Sequence, residues 1–125
     1  MKSFYLETEY YVAELKTGIL HVHYKPMMHI TLEDARAIVE YRISSFNNLS
    51  VPVLIRIGKV RSVDKEARQY LFTEGITNIK AVAFIEEHAE MKRLAEFLLG
   101  VSTPKVPCQS FGSEQEALVW LQQYV

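Results

Sequence analysis

The sequence predicts a single α/β domain, with about five strands in a mixed, mostly parallel sheet and four helices packed on it. Three observations predict this. A length of 125 residues suits one domain with its own core. Apolar runs of strand length alternate with amphipathic stretches of helix length along most of the chain. Capping sequences sit ahead of the helical stretches, and Gly or Asn follows several of them.

The elements follow in order. Tyr10 to Leu15 is rich in aromatic and apolar residues, as strands are. Lys16-Thr17-Gly18 reads as a tight turn. Ile19 to Tyr24 alternates in part, with Leu20, Val22 and Tyr24 on one face and Ile19, His21 and His23 on the other. Together these predict an antiparallel hairpin, stopped by Pro26.

Thr31 opens a first helix, with Asp34 as a capping-box partner and Leu32, Ala35, Val39, Ile43 and Phe46 as its buried stripe. Asn47-Asn48 end it. Val51 to Ile57 is nearly continuous in apolar residues, which fits a strand covered on both faces. Ser62 opens a second helix to about Thr73, with Gly75 as its stop. Ile79 to Ile85 reads as an interior strand. Glu86 to Leu99 reads as a third helix ended by Gly100. Val106 to Phe111 is a short strand that Pro107 places at an edge or a strand start. Ser113 to Glu116 is a capping box for a last helix docked by Ala117, Leu118 and Leu121. The expected order is β-β-α-β-α-β-α-β-α, and alternation of this kind implies right-handed crossovers.

Composition excludes several classes. Hydrophobic residues make up 49% and charged residues 23%, so the chain is expected to fold rather than stay disordered. A net charge of −1 gives no general attraction to nucleic acid or to an anionic membrane. The single cysteine, Cys108, has no disulfide partner in the chain and is expected to be an inert strand residue. Residues 1–9 lack an apolar signal core, and no stretch is long enough to span a bilayer. A cytoplasmic location is therefore expected. No Gly-rich phosphate loop, Gly-x-Ser-x-Gly or metalloprotease pattern occurs.

The chain resembles the STAS fold of anti-sigma-factor antagonists, and more closely the small STAS-like bacterial proteins. The segments that carry the resemblance are Gly18 to Val22, Ile30 to Ala35, Pro52 to Ile55 with Ser62 to Arg68, Lys80 to Phe84, and Phe111 to Leu121. They cover most of the chain, and none is a catalytic motif. The resemblance implies a non-enzymatic regulatory or protein-interaction module. It also implies lipid-carrying relatives, and with them an alternative: a carrier or sensor of a small apolar ligand in a pocket between helices and sheet, lined by residues such as Phe46, Phe72 or Phe97. In the antagonists a serine at the start of the second helix is phosphorylated, within an Asp-Ser-Ser-Gly-like sequence. Here the matching stretch is Lys59-Val60-Arg61-Ser62-Val63-Asp64, without the preceding Asp and the following Gly.

Four groups of residues are candidate sites. Lys59, Arg61, Ser62 and Asp64 form a candidate phosphoacceptor or partner-docking tip. A phosphate on Ser62 would meet a helix N-terminus and the two basic side chains; otherwise Ser62 is a plain N-cap. Tyr10, Tyr11, His21, His23 and Tyr24, with Met27 and Met28, form a candidate interface, and an exposed hairpin there leads to an expected homodimer. His21 and His23, two apart on a strand, have the spacing of metal ligands with His29 as a third, but no Cys or carboxylate joins them at a telling spacing, and a polar strand face under solvent or at a subunit contact explains them better, so no metal or cofactor is expected. Glu86, Glu87 and His88 follow the interior strand where ligands gather in open sheets, though acidic residues at a helix start also stand there for stability alone.

Overall fold

The computed structural model describes residues 4–26, 28–46, 49–85 and 105–125. Eight strands and three helices are assigned among them. The strands are β1 (Tyr5–Glu7), β2 (Tyr11–Lys16), β3 (Ile19–Tyr24), β4 (His29–Ile30), β5 (Val51–Arg56), β6 (Ser62–Val63), β7 (Ile79–Ile85) and β8 (Cys108–Phe111). The helices are α1 (Leu32–Phe46), α2 (Lys65–Phe72) and α3 (Glu114–Gln122), with a short 3-10 turn at Glu74–Ile76. The third helix expected over Glu86–Leu99 lies outside the described residues, as do Asn47-Asn48 and Glu86-Glu87-His88.

Six strands form one sheet in the order β1-β2-β3-β5-β7-β8. β1 and β3 run antiparallel to β2. From β3 onward every pairing is parallel. A second sheet has two strands, β4 and β6, paired in parallel with His29 opposite Ser62 and Ile30 opposite Val63. The class is therefore as expected, with more strands than about five.

The hairpin turn shows why the sequence bends where it does. Thr17 has φ 50° and Gly18 φ 82°, so both central residues are left-handed, which matches the twist of the strands on either side. Gly18 is also required sterically: a Cβ there would lie 2.6 Å from Val125 Cγ1.

Period-2 alternation divides the core between the two faces of the sheet. One face carries Tyr11, Ala13, Leu20, Val22, Val53, Val82 and Phe84, covered by Ala35, Ile38, Ala67 and Phe72 of α1 and α2. The other carries Ile19, Leu54, Ala81, Ala83 and Ile85, covered by Ala117 and Leu121 of α3. β5 and β7 face both ways, which is why their sequences are apolar almost throughout.

Both capping predictions hold at the α1 and α3 starts. Thr31 Oγ1 accepts from the Asp34 N–H at 3.2 Å, and the Thr31 N–H donates to Asp34 Oδ2 at 2.9 Å. That hydrogen bond holds the Asp34 carboxyl below its ordinary pKa. Ser113 Oγ accepts from the Glu116 N–H at 3.2 Å.

Three expectations change. The hairpin is not an edge, because β1 pairs along the outer side of β2; the sheet ends on β1 and β8. Ser62 does not open α2. It lies in β6, and Asp64 occupies the N-cap position with an extended backbone. The pairing of Ser62-Val63 with His29-Ile30 holds those two residues extended, so the helix starts one cap-competent residue later. Gly75 is not the stop of α2, which ends at Phe72 with Thr73 as its C-cap. It belongs to the 3-10 turn that follows, where a Cβ would come within 3.3 Å of Val39 Cγ2.

Candidate functional site

α1 presents its buried stripe at Ala35, Ile38, Val39 and Phe46. Arg42 falls on the same stripe, four residues after Ile38 and four before Phe46, where the periodicity calls for an apolar residue. Between this stripe, α2 and the sheet lies a cavity of about 100 Å³. Sheet residues Ala13, Leu20, Val22, Val53, Ile55, Val82 and Phe84 form its floor, and Ile38, Val39, Leu71 and Phe72 form its roof. The lining side chains are hydrocarbon except for those of Arg42, Tyr11 and Tyr24.

These three groups differ in how they are bonded. Tyr11 is 2% exposed and donates to the Ile38 carbonyl at 2.9 Å. Arg42 Nη2 donates to the Gly75 carbonyl at 2.9 Å. Burial pulls the Arg42 pKa down, with the nearby Tyr11 and Tyr24 opposing it. Burial pushes the Tyr24 hydroxyl up to about 12, so it is protonated at any ordinary pH. The Tyr11 and Tyr24 rings meet edge to face at 5.9 Å. Two members of the expected interface, Tyr11 and Tyr24, are therefore cavity wall rather than open surface. Tyr10 is half-buried against Tyr41, ring centroids 6.4 Å apart. Met28 packs on the same core, and Met27 is outside the described residues.

A second cluster forms at the β4–β6 pair. His29 Nε2 lies 3.0 Å from Asp64 Oδ1, and His29 Nδ1 is hydrogen-bonded to Ser62 Oγ. With the Nε2 proton on Asp64, Nδ1 is left as acceptor for the Ser62 hydroxyl. Asp64 makes no side-chain cap to α2; its carboxylate is turned to the imidazole instead. Of the four tip residues, Ser62 and Asp64 are thus brought together by His29, which sequence reasoning had considered only as a metal ligand. Lys59 and Arg61 are exposed beside them. The Arg61 N–H donates to the Met28 carbonyl at 2.8 Å, which ties the tip to the residue before β4. The arrangement can draw the Ser62 proton toward the ring, but His29 and Asp64 side chains are 53% and 41% exposed, so water competes for every bond in it.

The remaining candidates lie on the opposite face of the sheet or at its edge. His21 Nδ1 is 3.9 Å from Glu114 Oε1, and Arg56 Nη2 is 3.1 Å from Glu114 Oε2. Burial first, then Lys16, lowers the His21 pKa. His23 is exposed. Among the described residues no group of three or more His, Cys, Asp or Glu is placed to hold a metal ion. Cys108 is half-buried in β8, and burial pushes its thiol up to about 11, away from thiolate chemistry.

Residues 13–125 match the model of a domain-of-unknown-function family, DUF7793. The chain belongs to the DUF7793 family. No curated protein matches it. Among solved structures, this DUF7793 chain is similar to an uncharacterized protein of the DUF3478 family with a SpoIIAA-like fold from Shewanella loihica PV-4. The identity is 15%, the TM-score 0.61, and the match covers 97% of this chain and 96% of that one. At that identity the likeness establishes the fold, which is the STAS-like one the sequence resembles. No helix among the described residues of the DUF7793 chain is long and apolar enough to cross a membrane.

The signal for the cavity site was present in the sequence as a charge inside an apolar stripe. Reading Leu32 and Ile43 as buried, in place of Ile38, rotated the stripe and put Arg42 outside it. Of the pocket residues expected, Phe72 lines the cavity, Phe46 belongs to the same core, and Phe97 lies outside the described residues.

Proposed function

We propose that this chain is a non-enzymatic regulatory module that works by holding a small apolar molecule between α1, α2 and the sheet. The observation that carries this is the cavity. Interiors normally pack to crystal density, with few voids larger than a water. A space of about 100 Å³ walled mostly by hydrocarbon does not attract ordered water, and it suits an apolar guest. The test is titration of the purified protein with 1-hexanol, followed by amide NMR. Saturable shifts are expected at cavity residues such as Ala13, Val22 and Leu71, with α3 unaffected. A titration without saturable shifts up to the solubility limit of the alcohol would remove the proposal.

A second reading concerns partner docking at the tip of Lys59, Arg61, Ser62 and Asp64. The observation in its favour is the hydrogen bond between the Ser62 hydroxyl and His29, which is itself paired with Asp64, with two exposed basic residues alongside. A phosphate on Ser62 would rely on Lys59 and Arg61, not on the start of α2. The expected result is phosphate on Ser62 after incubation with native-host lysate and ATP, located by peptide mass spectrometry, and its absence from the Ser62→Ala variant. Phosphate found elsewhere, or none at all, counts against this reading.

A further inference from the structure

The cavity reading leaves open what kind of apolar molecule fits, and Arg42 narrows it. Arginine is charged at any working pH and is costly to bury without an acid. Arg42 is half-buried, and none of the ion pairs among the described residues includes it. Among the described residues its one hydrogen bond goes to a backbone carbonyl, Gly75, and takes up one of its five N–H donors. Tyr24 lines the same cavity, and its hydroxyl makes no hydrogen bond among the described residues. The rest of the wall is hydrocarbon. The lining therefore offers two donors close enough to interact with each other, one of them cationic, and no carboxylate to receive them.

Resting on the cavity reading, we infer that the molecule held there is a small monocarboxylate with an apolar body, its carboxylate on Arg42 and Tyr24 and its hydrocarbon against Val22, Val53, Leu71 and Phe84. Both donors point to the same chemistry. A guanidinium takes a carboxylate in a two-point grip, and a neutral phenol donates to its second oxygen. A neutral guest of the same shape would leave the guanidinium unpaired.

Hexanoate and 1-hexanol differ only at the head and serve as matched probes, measured by isothermal titration at neutral pH. Wild type is expected to bind hexanoate about tenfold tighter than hexanol, the range that a charge-assisted hydrogen bond supplies. The Arg42→Gln variant is expected to bind the two probes with about equal affinity, read as their ratio within the variant. The Tyr24→Phe variant is expected to cut the preference for hexanoate over hexanol from about tenfold to about threefold. Equal affinity for the two probes in wild type overturns the inference while leaving the cavity reading standing. So does a preference that survives in Arg42→Gln or, should that variant not fold, a tenfold preference left undiminished in Tyr24→Phe. Binding of neither probe overturns both.

Discussion

The Leu54→Ala variant is expected to lose about 3–4 kcal/mol of stability, enough to bring a domain of ordinary stability close to unfolding. Leu54 is 1% exposed in the centre of the sheet, with β3 on one side and β7 on the other. Its side chain points to the face that α3 covers, among Ile19, Ala83, Ala117 and Leu121. Two of these neighbours are alanines, which cannot reorient to fill the gap. The loss should therefore include nearly the whole cavity penalty as well as the transfer term. Urea unfolding measures it: the midpoint should fall while the slope stays constant, because the surface exposed on unfolding hardly changes. A loss below about 1 kcal/mol would show that this face is not closed by α3, and with it the two-faced architecture would fall.

The same residue explains why so much of the fold was readable. β5 and β7 were legible because a strand covered on both faces must be apolar at consecutive positions, and Val51–Leu54 and Ala81–Ile85 are. The caps at Thr31 and Ser113 were legible because a capping box is closed by residues three apart. β4 and β6 were not legible. Each is two residues long, and what makes them strands is each other, more than thirty positions away. No local pattern records such a pairing. For that reason Ser62 and Asp64, both good N-caps, could not be told apart until His29 and Ile30 were placed beside β6. β1 failed for a related reason: Tyr5-Leu6-Glu7 is too short to announce itself, yet its pairing with β2 moves the hairpin from the edge to the inside of the sheet. The candidate site was half legible. Ser62, Asp64, Tyr11 and Tyr24 were all picked out by residue type, but their roles depend on His29 and Arg42, which only tertiary contacts bring to them.

Enlarging Ala13 to leucine is expected to stabilise the protein and abolish hexanol binding together. Ala13 sits on β2, 1% exposed, in the cavity floor between Leu6 of β1 and Val22 of β3. A leucine there adds three carbons to the wall. If they enter dry space, each methylene gains about 0.8 kcal/mol of burial, against about 0.5–1 kcal/mol of lost rotamer freedom. The net gain after imperfect fit is about 1 kcal/mol, a rise of several degrees in Tm for a domain of this size. The opposite sign is as informative. In a core already packed to density the same change forces side chains off their rotamers and costs about 1–3 kcal/mol. Thermal unfolding of Ala13→Leu thus reads directly whether the space is there, without a ligand. Pairing it with the hexanol titration separates two causes of lost binding. A variant that melts higher and takes up no hexanol has had its cavity filled. A variant that melts lower never had the room, and the binding proposal would go with it.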